Sequence, residues 1–144
     1  MLHATCATPN LTSFCRLDEL GLTAVGQRLE SDRAVIECRL SVPDPWCHRC
    51  GNEATSRGTL TRRLAHGPFG HRRTTLQVRV RRYRCGQYGR RWRQDTDRTA
   101  PERAKLSRGG LRWAPAGIVI DHVTLSLVTA GLGVSWYTAH NAVF

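Results

Sequence analysis

Apolar and polar residues alternate most regularly between positions 74 and 83. Leu76, Val78 and Val80 fall on one side of an extended chain, and Gln77, Arg79, Arg81 and Tyr83 on the other. This period of two predicts a strand over 74–83. An earlier stretch, 25–40, reads as a hairpin. Val25, Gln27 and Leu29 lead into a Glu30-Ser31-Asp32 turn, and 34–40 returns until Pro43 and Pro45 stop it. A short strand is expected over 60–64, followed by a loop at Gly67-Pro68-Phe69-Gly70. Residues 1–10 have no period, so 1–13 is expected to be a loose leader, and the polar stretch 95–105 reads as a linker. Beyond it the period lengthens to that of a helix. The expected helix over 106–123 contains Pro115, which lacks a backbone donor and crowds the preceding turn, so an interruption is predicted there. Thr124 can cap a second helix, Gly131-Leu132-Gly133-Val134 can turn the chain, and Ser135 can cap a third helix from Trp136. Two short helices about a glycine turn form a helix-turn-helix pattern.

Cysteine spacing adds chemistry to this outline. Cys47-His48-Arg49-Cys50-Gly51 is a Cys-x2-Cys knuckle, a tight turn that aims two thiolates at one metal ion. Cys85-Gly86-Gln87-Tyr88-Gly89 has the form of its partner, with Tyr88 where the fourth cysteine is expected. Strand, knuckle and return strand is the build of a zinc ribbon. The expected fold class is therefore α+β: a small antiparallel zinc-ribbon-like region over 14–94, then a short helix-turn-helix over 106–144. Cys47, Cys50 and Cys85 supply three of the four ligands zinc prefers, and His48, His66 or His71 is a candidate for the fourth. Cys6, Cys15 and Cys38 read as a loose thiol and small core residues. The six cysteines also admit three disulfides, but the knuckle and the lack of an export signal at the N-terminus favour reduced thiols and a metal.

Charge changes the picture further. The 144 residues carry a formal net charge of +11, and 57–93 holds twelve arginines with no Asp or Glu. One acid-free basic region argues for a polyanionic partner, and arginine grips phosphates and guanine edges bidentately. Arg79 and Arg81 share a strand face, Arg82 and Arg84 take the other, and Arg72 and Arg73 lie at the preceding turn. All six are candidate DNA contacts. So are Trp136, Tyr137, Thr138, His140 and Asn141, because the first turns of the second helix of such a motif enter the major groove, where an Asn can pair with adenine. Leu125, Val128, Leu132, Val134, Ala139 and Val143 are expected to pack. No run reaches the length of a membrane span, so no membrane partner is expected.

The Cys47-x2-Cys50 knuckle, the strand over 76–84 ending Arg-Tyr-Arg before Cys85, Trp92, and Leu132-Gly133-Val134-Ser135-Trp136 occur in this order. Together they resemble the N-terminal half of bacterial insertion-sequence transposases of the ISL-three type, over roughly 14–144. The resemblance implies a zinc-binding region and a helix-turn-helix that grip the terminal inverted repeats of an element as double-stranded DNA. In that family a catalytic domain of RNase-H-like fold follows, with an Asp-Asp-Glu set and divalent metal ions. It also implies a bacterial cytoplasmic protein at the nucleoid, with full-length transposase as a second partner. Three departures stand out: Tyr88, Pro115 and the stop at Phe144. After Lys105 the sole acid is Asp121, so no two-metal carboxylate cluster is expected. The expectation is a truncated DNA-binding fragment, not an enzyme, with a weakened zinc site. Its rivals are a relic without function, a stand-alone regulator that occupies the same DNA ends, and a zinc-ribbon RNA-binding protein.

Overall fold

The predicted strand at 74–83 becomes the centre of a five-stranded sheet. The computed structural model describes residues 11–69 and 72–144; residues 1–10 of the leader expected over 1–13, with Cys6, and the pair Gly70 and His71 lie outside the described residues, while 11–13 are helical rather than loose. A one-turn helix α1 (Leu11–Phe14) and a 3-10 turn (Asp18–Leu20) precede β1 (Leu22–Leu29), β2 (Arg33–Leu40), β3 (Thr55–Phe69), β4 (Arg72–Arg84) and β5 (Arg91–Arg93). Three helices follow: α2 (Arg108–Val119), α3 (Leu125–Leu132) and α4 (Trp136–Val143). The class is α+β, as the periodicities imply.

β4 is central because it pairs with β2, β3 and β5, and its apolar alternation faces the core. Thr74, Leu76, Val78 and Val80 are buried on one face, against Leu64 of β3, Ile36 and Cys38 of β2, and Leu17 and Leu20 from the N-terminal turns. β3 pairs with β4 antiparallel, setting Leu64 opposite Leu76 and Leu60 opposite Val80. β1 and β2 form the expected hairpin. The sheet is not wholly antiparallel, however. β2 runs parallel to β4 from Arg33 beside Arg73 to Arg39 beside Arg79. The reason is the connection: between β2 and β4 the chain makes the first knuckle and the whole of β3, which returns it to the same direction. β5 takes the lane that β2 leaves, pairing with the last residues of β4.

Three local expectations change. β3 is a 15-residue strand that passes through Gly67 and Pro68, with a register shift between His66 and Phe69, so the loop expected at 67–69 is strand. The polar stretch 95–105 is packed down. Thr99 and Ala100 are buried, the Thr99 hydroxyl donates to the Leu20 carbonyl at 2.9 Å, and Arg62 reaches across to the Pro101 and Ala104 carbonyls at 2.7 and 3.0 Å. Its polar residues serve the backbone, which composition alone does not reveal.

Finally, α2 runs through Pro115 without a break. A proline inside a helix costs about 3 kcal/mol. Here tertiary packing offsets that: Ala114 and Gly117 are buried, and the Trp113 ring lies against Gly67 of β3 and Gly131 of α3. At its start, Ser107 caps α2 by accepting from the Gly110 amide, and its hydroxyl donates to Nδ1 of buried His66 when Nε2–H donates to the Cys15 carbonyl. Burial pushes the His66 pKa below its ordinary value. The three helices close a second core of Leu106, Ala114, Val128, Leu132 and Ala139, with Leu125, Val134 and Val143 partly buried on it. All six residues expected to pack in 125–143 therefore do. α3 and α4 begin at side-chain caps from Thr124 and Ser135, and Gly133 turns the chain between them in the left-handed conformation, φ 69°.

Candidate metal centre and arginine surfaces

The two knuckles have the same backbone. In the first, the Cys47 amide donates to the Asn52 carbonyl at 2.9 Å and the Gly51 amide to the Cys47 carbonyl at 2.8 Å. In the second, the Cys85 amide donates to Arg90 at 2.8 Å and the Gly89 amide to Cys85 at 2.9 Å. Gly51 and Gly89 close the turns with φ of 73° and 65°, a conformation that favours glycine. Pro45 and Ala54, and the β4–β5 pairing, hold the two turns at one end of the sheet.

This brings Cys47, Cys50 and Cys85 together, their sulfurs all within 4.8 Å of one another and Cys50 Sγ 3.5 Å from Cys85 Sγ. Tetrahedral zinc, with zinc–sulfur bonds near 2.3 Å, separates its sulfurs by about 3.8 Å, so the trio fits one ion. Amides pointing at the sulfur prepare a thiolate. The N–H groups of Cys50 and Arg49 draw the Cys47 thiol down to about 7. For Cys50 the Asn52 amide pulls the same way, but burial and the neighbouring thiols Cys85 and Cys47 outweigh it and raise the pKa. Cys15 and Cys38 are different: burial lifts their thiols to about 11 and about 12, as expected of inert core residues.

The three cysteines form the one group of potential metal ligands among the described residues. The histidines named for the fourth position are placed elsewhere. His66 is engaged with Ser107 and Cys15 in the core, and His48 turns outward to Asp44, 3.3 Å from its carboxylate. His71 lies outside the described residues. Tyr88 occupies the position in the second knuckle that Cys50 occupies in the first, but its ring is 63% exposed. The second knuckle thus has the turn of the first without a cysteine at its second position.

Residues 43–87 match the family model for the zinc-finger of transposase IS204/IS1001/IS1096/IS1165. That segment holds both halves of the thiol cluster, and the match together with the geometry identifies zinc as the ion the cluster suits. The likeness covers the zinc-ribbon region of ISL-three-type transposases and does not reach the helices. No curated protein matches the chain, and no solved structure does.

Around this centre the arginines separate into distinct sets. Arg72 and Arg73 are partly taken up by the fold: Arg73 Nε donates to the Ala130 carbonyl near the end of α3 at 2.7 Å, and Arg72 reaches the Glu30 carbonyl at 3.5 Å. Arg79 and Arg81 are exposed on the sheet face opposite the first core. Arg82 and Arg84 are exposed on the other face, paired across the strands with Arg93 and Arg91. Tyr83 and Trp92 form the pair between them, their rings stacked at 5.7 Å, with Trp92 Nε1 donating to the Asp44 carbonyl. Tyr83 shares the strand face of Arg79 and Arg81, as the alternation implies, and this stack buries it there. Arg57, Arg91 and Arg93 were absent from the sequence-based candidates. The signal was available in Arg90-Arg91-Trp92-Arg93: a return strand that places Trp92 opposite Tyr83 must place arginines opposite Arg82 and Arg84.

On α4, Trp136, Tyr137 and Asn141 are exposed, while Thr138 and His140 are half-buried. Trp136, His140 and Phe144 stack one turn apart, at 4.8 and 4.9 Å. Among the described residues, no helix is long and apolar enough to cross a membrane.

Proposed function

We propose that this chain grips duplex DNA as the N-terminal part of an insertion-sequence transposase, recognising terminal inverted repeats. The observation that carries this reading is the match over 43–87, which sets a three-thiol zinc site in the acid-free, arginine-rich half of the sheet. Zinc holds the two knuckles together at the end of β4, and the arginines around them meet phosphates. Arginine–phosphate contacts release counterions and give affinity without sequence preference. Sequence is read by the helical hairpin: α3 supports, and α4 presents Trp136, Tyr137, Thr138, His140 and Asn141 to base edges as a recognition helix. Arg72, Arg73, Arg79, Arg81, Arg82 and Arg84 are the candidates from which the phosphate contacts are drawn in this reading. The role assigned is grip rather than cleavage, in the bacterial cytoplasm at the nucleoid, where full-length transposase is the partner that cuts.

The test is footprinting on the terminal inverted repeat of an ISL-three-type element beside a scrambled duplex of the same composition. A protected half-turn on the repeat, lost in Asn141→Ala, supports base reading by α4. Equal binding of both duplexes removes the helix-turn-helix from the proposal, and no binding to either duplex at low salt overturns the proposal as a whole.

A further inference from the structure

Where the sheet runs past its hydrophobic core, its inner face becomes a cleft of arginines. Residues 82–84 of β4 and 91–93 of β5 floor an open groove of about 490 Å³, and Arg57 of β3 lines it as well. Strand pairing sets Arg82 directly opposite Arg93 and Arg84 directly opposite Arg91. Side chains directly opposite across a strand pair point to one face, so these four guanidiniums form a two-by-two array. Arg57 enters at a bulge, where the pairing shifts between Ser56 and Thr59 and Gly58 takes φ 101°. That positive φ is what favours glycine at 58; a Cβ there would meet the Arg82 guanidinium only at an ordinary contact distance of 3.7 Å.

Like charges opposite each other weaken a sheet. Three arginines outside this cleft are matched by acids: Arg28 with Glu30 and Glu37, Arg33 with Asp32, Arg112 with Glu19. None of the five groove arginines has a carboxylate or hydrogen-bond acceptor within reach among the described residues. Arg84 and Arg91 also flank the second knuckle, so ordering the thiol cluster orders the array. An array of unmatched guanidiniums in a concave, acid-free cleft is built for several phosphates at once, because planar forks meet phosphate oxygens bidentately.

We infer that this groove, rather than the outer row of Arg79 and Arg81, is where the phosphate backbone of duplex DNA is held. The inference rests on the DNA-binding reading above and locates it. Arg57, Arg91 and Arg93 are then phosphate contacts equal to Arg82 and Arg84, and the outer row is a solvated surface.

Two double variants that remove equal charge separate the two surfaces: Arg82→Gln with Arg93→Gln in the groove, and Arg79→Gln with Arg81→Gln outside it. Each zinc-loaded full chain is titrated with a fluorescent duplex of random sequence over a range of salt. The groove pair is expected to lower the log–log salt slope by about 1.8, at about 0.9 per phosphate contact. The outer pair should leave the slope unchanged. The groove variant should also melt at higher temperature than the parent when DNA is absent, because a like-charge pair has gone. Arg82→Lys with Arg93→Lys, which keeps the charge, should restore most of the slope and shows that a loss in the Gln variant is not misfolding. Equal losses from both pairs, or a loss from the outer pair alone, overturn the groove while leaving DNA binding intact. Tighter binding of a structured RNA than of the duplex overturns the assignment to DNA. A parent chain that binds no duplex fails at the earlier reading instead.

Discussion

Replacing Tyr88 with cysteine should complete the metal site. The knuckle at Cys85 repeats the hydrogen bonds of the knuckle at Cys47 to within about 0.1 Å, and its closing glycine has the same left-handed conformation. A cysteine at 88 therefore stands to Cys85 as Cys50 stands to Cys47. In the native chain Cys47, Cys50 and Cys85 would supply three thiolates, and no His, Asp or Glu joins them among the described residues. Four-ligand structural zinc sites bind with roughly 10–16 kcal/mol, so one thiolate in place of water is worth about 2.5–4 kcal/mol as an even share. That corresponds to roughly a 10²–10³-fold lower dissociation constant. Chelator competition at fixed pH measures the affinity directly. Cobalt in place of zinc reports the ligand set by its visible bands, which should change from three-sulfur to four-sulfur character in Tyr88→Cys. Tyr88→Ser separates loss of the exposed ring from gain of a ligand and should behave like the parent. If Tyr88→Cys binds no more tightly and keeps the parent's cobalt spectrum, the repeated backbone does not aim position 88 at the ion, and the argument from matched knuckles fails.

Other outcomes follow from packing and titration. Gly131→Ala should destabilise the helices by about 1–3 kcal/mol despite the better helix propensity of alanine, because its Cβ would stand 2.7 Å from Trp113 Cη2; chemical denaturation measures it. Arg62→Ala should cost roughly 1.5–3 kcal/mol by freeing the Pro101 and Ala104 carbonyls that hold 95–105 to the sheet. Arg63→Ala, whose guanidinium is exposed, should stay within about 0.5 kcal/mol in the same assay. Burial lowers the His66 pKa, so the unfolded chain takes up the proton first. Stability should be full above the ordinary histidine value of about 6.5 and fall as the pH drops below it. His66→Gln should flatten that decline in urea midpoints measured with a chelator present, which keeps acid release of zinc out of the comparison. An unchanged slope would remove His66 as its source.

Much of the local structure was readable because short-range rules decide it. The alternation over 74–83 placed Leu76, Val78 and Val80 in the core, and Cys-x2-Cys spacing brought two thiols into one turn. Thr124 and Ser135 announced the starts of α3 and α4, since a cap needs only its own next turn. Long-range contacts decided the rest. Pro115 is read as a helix break from its own chemistry, and only the Trp113 contacts with Gly67 and Gly131 explain why α2 continues. The stretch 95–105 looks like a linker by composition, yet Arg62 and Leu20 lie far from it in sequence and tie it down. His66 was a plausible ligand until the fold set it beside Ser107.

The sequence by itself therefore determined the chemistry available: three cysteines at metal spacing, a tyrosine for the fourth, and an acid-free run of arginines. The tertiary structure decided which of those groups meet. A strand pairing fixes neighbours that no period along one strand contains, so Arg82 and Arg84 acquired Arg91 and Arg93 opposite them, while Arg73 went to anchor a helix. It also showed that the turn around Tyr88 survives without its ligand, because backbone hydrogen bonds and Gly89, not the side chain at 88, hold that turn.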